Sequence, residues 1–335
     1  MMAHDYSAVL GQLLAGAEGD SVRPFKREHI FHDILDYCGE AEPAAGRMDM
    51  MYHHSAIRKL VASIRARQTA QITHFAALLA QSAWQPRSDI ARAGIEALYH
   101  PAVALQAYYE DRYPDALAGL ERGLEALGRL HASGFRLALV GAADQLLNLL
   151  RAHAAYCRHD AALASAAELL ELLYGTDGSA RFAQGRLDQA LETADLASCA
   201  NHYGDEVLLK VLGSDDPQLI GRLAIHINQR CAGWRDGPVR QALLLLGAAR
   251  GGAHPAALAA ATAATQLDAL PSTLRLLLLT ALLPQAGGGG GPHGDAVQAR
   301  LLAGRLAARK DAAVHAGARH WLQALADAPP AMLAA

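Results

Sequence analysis

Aromatic and β-branched residues are scarce in this 335-residue sequence. Phe, Trp and Tyr together make up 5% of it, too few to furnish the faces of a sheet. Lysine is nearly missing as well, with 4 Lys against 26 Arg. The four cysteines, Cys38, Cys157, Cys199 and Cys231, lie far apart and form no C-x-x-C pair. Their spacing argues against a disulfide scaffold and for reduced, buried thiols. The longest apolar run, Leu274 to Leu283, contains Arg275 and is bounded by Pro271 and Pro284. It is far short of the ~20 residues that cross a bilayer. The first residues lack a basic stretch followed by an apolar one, so no secretory signal is expected and the predicted location is cytoplasmic. No surplus of one charge exists either. Thirty basic residues against 33 acidic ones give a net charge of -3, which supplies no field for nucleic acid or an anionic membrane. No phosphate loop G-x-x-x-x-G-K-[ST] or dinucleotide G-x-G-x-x-G follows an expected strand, and the G-x-S-x-G elbow, H-E-x-x-H and paired E-x-x-H motifs are missing.

What the sequence has is alanine, leucine, glycine and arginine, the usage of a GC-rich genome and the composition of helices. The expected fold is all-α. Breakers set the pieces. A short helix over 6–16 is followed by one over about 24–38, whose Ile30, Phe31, Ile34, Leu35 and Cys38 form one apolar face. A long helical segment is expected from about Met48 to Trp84. Ser88 caps a helix through Tyr109, residues 110–114 turn the chain, and a helix follows to about Leu130. A second pair spans about 135–156 and 161–173, turning at Arg158-His159-Asp160, and a shorter pair spans 179–184 and 187–199. Beyond it, helices open at Pro217, Pro238, Pro255 and Pro271, the glycine-rich loop 287–292 interrupts, and two helices over 295–308 and 311–326 close the sequence. The expected organisation is an N-terminal helical region over 1–87, helical hairpins over 88–204 and a C-terminal region over 205–335.

Ala104 followed twelve residues later by Ala116, and the run Ala183-Gln184-Gly185-Arg186-Leu187-Asp188-Gln189-Ala190 followed by Ala194 and Ala197, resemble the small-residue positions of tetratricopeptide repeats. The proline-started helices of the last third look similar to HEAT-type repeats. Together the two resemblances cover about residues 90–283. The turn alanines Ala116, Ala162 and Ala190 lie 46 and 28 residues apart, against a family period of ~34. The resemblance therefore implies irregular stacked helical hairpins, α-solenoid-like, with a surface that holds protein or peptide partners.

Three constellations stand out. Tyr108, Tyr109, Arg112 and Tyr113 concentrate aromatic and guanidinium groups beside one hairpin turn, in the acidic part of the chain, and residue types of this kind dominate binding surfaces. His29, His32, Asp33 and Asp36 share one stripe of the 24–38 helix, and His53 sits on the inward stripe of the next helix, with His54 and His74 off it. Imidazole and carboxylate are ligands for Zn or non-haem Fe. Cys157 has His153 four residues before it on the same helix. The leading expectation is a non-catalytic adaptor or regulatory protein with a protein or peptide partner and no cofactor. The alternative is an all-α metal-dependent hydrolase or iron oxygenase using the histidine-aspartate stripe.

Overall fold

The computed structural model describes residues 28–81, 88–176, 178–182, 185–212 and 222. The expected helix over 6–16, the proline-started helices of the last third, the glycine-rich loop, the two closing helices and Cys231 lie outside the described residues. The chain divides into two compact units, Phe25–Ala200 and a second made of Met1–Pro24 with Asn201–Ala335.

The described region is 84% helical and contains no strand; Ser179 and Gly185 form an isolated bridge. The helices are α1 (Glu28–Glu40), α2 (Ala44–Arg65), α3 (Thr69–Gln81), α4 (Asp89–Tyr109), α5 (Tyr113–Ala132), α6 (Ala138–Ala155), α7 (His159–Tyr174) and α8 (Thr193–Leu212). The Ser88 hydroxyl accepts from the Ala91 amide and caps α4, and Pro114 sits in the first turn of α5. Chain neighbours pack together: α2 with α3, α4 with α5, α5 with α6 and α6 with α7.

Two expectations about elements are corrected. The long segment over 48–84 is broken at 66–68, where Arg67 takes φ 54° and starts α3 in a new direction. The expected short pair over 179–199 is replaced by 3-10 turns at Ala180–Phe182 and Leu187–Gln189, with α8 beginning at Thr193. Ala190 consequently follows a short turn and is half-buried rather than sitting at a helix crossing.

The hairpins α2–α3, α4–α5 and α6–α7 share one turn. Arg67, Asp111 and Cys157 adopt the left-handed conformation at φ 54°, 56° and 57°. The next amide, of Gln68, Arg112 or Arg158, donates to the carbonyl of Ser63, Ala107 or His153, in each case at 2.9 Å. The left-handed residue's own amide reaches Ile64, Tyr108 or Ala154. This is a Schellman ending that satisfies the last carbonyls of the helix. One residue later the next helix begins, so the chain reverses through three linking residues. Five positions beyond the left-handed residue stand Ala116 and Ala162, both buried, and Ile72, half-buried.

Close approach of α4 and α5 depends on glycine. A Cβ on Gly119 would lie 2.9 Å from the Ala104 methyl and 3.2 Å from the His100 carbonyl oxygen, and one on Gly123 would lie 2.9 Å from the Pro101 ring. From α1, Cys38 packs on Gly94 and its thiol faces the Ile90 carbonyl at 3.5 Å. Burial pushes that thiol up to about 12, so it is an inert core group. Tyr37 stacks on Phe135 at 4.8 Å and its hydroxyl donates to the Ser133 carbonyl at 2.6 Å.

Between α1 and α2, Glu42 is 3% exposed and its Oε1 accepts from the Ser88 amide at 2.7 Å, tying the α1–α2 loop to the start of α4. Removing the carboxylate leaves a buried donor without its acceptor. Glu42→Ala is therefore expected to cost about 2 kcal/mol. Urea unfolding checks this, and a midpoint equal to that of the wild type would contradict it.

Candidate functional site

The two hairpin turns 110–112 and 156–158 bring their tyrosines together into one row. Tyr109 meets Tyr108 edge to face at 6.1 Å, and Tyr108 meets Tyr113 edge to face at 5.8 Å. Tyr113 then lies 5.7 Å from Tyr156, with planes 30° apart. At the far end the Arg158 guanidinium sits 4.5 Å from the centre of the Tyr156 ring, within cation–π reach. Tyr109 and Tyr156 are 48% and 37% exposed, while Tyr108 and Tyr113 are half-buried between them. The inner rings brace the outer ones. The row is thus rigid and still presents aromatic faces to solvent, which is costly unless something uses them.

Polar contacts fix its edge. Arg112 spans the turn, with Nε and Nη2 donating to Glu110 Oε2 at 3.0 and 2.7 Å and Nη1 to Asp115. Hydrogen bonds from Gln106 and then Arg112 hold the Glu110 carboxyl below its usual range. Tyr113 donates to Asp111 Oδ1 at 2.8 Å, and that bond raises the phenol above its ordinary value. Glu110, Asp111 and Asp115 thus set three carboxylates against the one guanidinium of Arg112, so this edge is net acidic.

All four residues expected at this surface, Tyr108, Tyr109, Arg112 and Tyr113, stand together. Sequence reasoning missed Tyr156 and Arg158, which come from the second hairpin. The signal for them was the repeated turn: they stand 46 residues after Glu110 and Arg112, at the same two places around its left-handed residue.

The histidine-aspartate stripe is arranged differently from its expectation. His32 and Asp36 on α1 are exposed and Asp33 is half-buried, whereas the side chain of His29 lies outside the described ones. His53 turns along its own helix, its Nδ1 2.9 Å from the Asp49 carbonyl oxygen. The ring that meets His32 is that of His54, at 6.0 Å edge to face. His54 is 7% exposed, not off the inward face as its spacing suggested. Burial first, then the charges of Arg58 and His32, push its imidazole down to about 4. Among the described residues no three His, Cys, Asp or Glu side chains form a group that could hold a metal ion. Cys157 is exposed and Nδ1 of His153 is buried without a hydrogen bond.

No family model, no curated protein and no solved structure matches this chain. No helix among the described residues is long and apolar enough to cross a membrane.

Proposed function

We propose that this is a non-catalytic helical-repeat protein that holds a protein or peptide partner on the tyrosine row formed by Tyr109, Tyr108, Tyr113 and Tyr156. The observation that carries it is the exposure of braced tyrosines across two separate hairpins. Core packing alone calls for no such continuity at the surface. Tyrosine and arginine give large contact area at small entropic cost, and so dominate interface energetics. The net-acidic surroundings favour a basic or amphipathic segment in the partner, with association weakened by salt.

The repeat reading rests on the shared turn. Its left-handed residues are 44 and 46 residues apart, longer than the ~34 of tetratricopeptide arrays and within the ~40–47 of HEAT-type ones. Buried Ala116 and Ala162 occupy the same place after it. A reduced, exposed Cys157 fits a cytoplasmic setting.

Affinity capture with the wild type and with Tyr109→Ala plus Arg112→Ala tests the proposal. Partner recovery is expected to fall by ~10-fold or more, as hot-spot truncation implies. Unchanged recovery by a variant with wild-type circular dichroism would remove this surface from the reading.

A further inference from the structure

The first hairpin carries a second exposed surface, of opposite character. The outward side of α2 is exposed along its whole length, about 33 Å for its 22 residues. On it Met48, Met51 and Tyr52 are 74%, 67% and 54% exposed, at the i, i+3, i+4 spacing that puts them on one stripe. Lys59 extends the stripe. Arg47, Arg58 and Arg65 follow each other at three and then two helical turns and form a straight row along one edge of it, all exposed. Asp49 lies on the opposite edge.

The charge is local to this hairpin. Residues 44–81 hold five basic side chains against one acidic, whereas 89–132 hold seven acidic against four basic and 138–174 hold four acidic against two basic. An apolar stripe of flexible thioethers beside a line of guanidiniums matches one shape of partner. Methionine adapts to irregular apolar side chains, and arginine pairs with carboxylates at fixed spacing.

We propose that the outer face of α2 docks an acidic amphipathic helix of a partner protein, with the partner's apolar stripe on Met48, Met51 and Tyr52 and its carboxylates along Arg47, Arg58 and Arg65. This mode is helix-on-helix recognition read through i, i+3, i+4 anchors. It does not depend on the tyrosine row, which lies on other hairpins.

The probe is a labelled synthetic helix with leucines on one face and glutamates on the other, its affinity read by fluorescence anisotropy. The counterpart has lysine for every glutamate. The full-length protein is expected to bind the acidic helix and to prefer it over the basic one by ~10-fold or more, with the preference shrinking as salt rises. Arg58→Glu plus Arg65→Glu should reverse the preference, and Met51→Ser plus Tyr52→Ser should weaken both peptides. Tyr109→Ala plus Arg112→Ala should bind the acidic helix as the wild type does, which separates this surface from the one proposed above. No binding of the acidic helix, or equal binding of both helices, would overturn the proposal. So would binding to phosphatidylserine vesicles in place of the peptide, or a dimer of the protein alone that Met51→Ser disperses.

Discussion

Gly119→Leu is expected to destabilise the protein by about 3 kcal/mol, the range of a bulky insertion into a packed helix crossing. Glycine inside an exposed helix costs about 1 kcal/mol relative to alanine, so a substitution there normally helps. On α5 the sign depends on what the side chain meets. At Gly119 the first carbon already sits 2.9 Å from the Ala104 methyl and 3.2 Å from the backbone oxygen of His100, and a backbone oxygen cannot move without parting the helices. At Gly128, nine residues further on, a Cβ would lie 3.9 Å from the Phe182 ring, an ordinary contact. Gly128→Ala is accordingly expected to stabilise by about 0.5–1 kcal/mol. Thermal unfolding of the two variants should move in opposite directions, Gly119→Leu downward by roughly 10 °C. A Gly119→Leu protein as stable as the wild type would mean that α4 and α5 do not approach as described.

Acid should weaken the fold well before its carboxylates titrate. The His54 imidazole falls from 6.5 to about 4 on folding, because burial, Arg58 and His32 all oppose its charge. Burial, as the largest cause in each, also lowers His100, His131 and His153. Between those two values the unfolded chain takes up a proton that folded His54 refuses, so stability decreases as pH falls. The contribution is complete above the unfolded value and is lost down to the folded one. For His54 alone the loss is about 2 kcal/mol on going from about pH 7.5 to about pH 5. His54→Gln removes the titrating group and should shrink the loss by that amount. Urea midpoints of both proteins at the two pH values decide it. Equal midpoints for the wild type at both would show that His54 is as free to protonate as in the unfolded chain.

The helical class and the α4–α5 and α6–α7 turns were legible because strong signals mark them: the Ser88 cap, Pro114, and the polar residues at 110–112 and 158–160. The α2–α3 break was not, since Ala66-Arg67-Gln68 contains neither glycine nor proline. Its left-handed residue is an arginine held by the two Schellman hydrogen bonds rather than by its own preference. The 3-10 turns near 180–190 were read as helices because alanine and glutamine favour helix locally, whereas Phe182, buried at 2%, anchors the segment in a different path. His54 was misplaced for a geometric reason. Met50, His53, His54, Ile57 and Leu60 are all buried, so the inward face of α2 is broader than the stripe traced by its aliphatic residues alone. The tyrosine row was half legible. Its first four members are near each other in sequence, and Tyr156 joins them through packing of successive hairpins that no local pattern encodes.

Helix α1 stands apart from the nearest-neighbour packing of α4 to α7. Its Tyr37 hydroxyl closes on Ser133, 96 residues away, and its Cys38 settles on Gly94 and Ile90 in the first two turns of α4. A contact of that sequence separation carries a loop-closure cost that is repaid after the helices it lands on are in place. Folding of this unit should therefore proceed outward from the hairpins, with α1 fastening last and releasing first. The amides of α1 are then the ones that exchange with solvent while those of α4 to α6 remain protected.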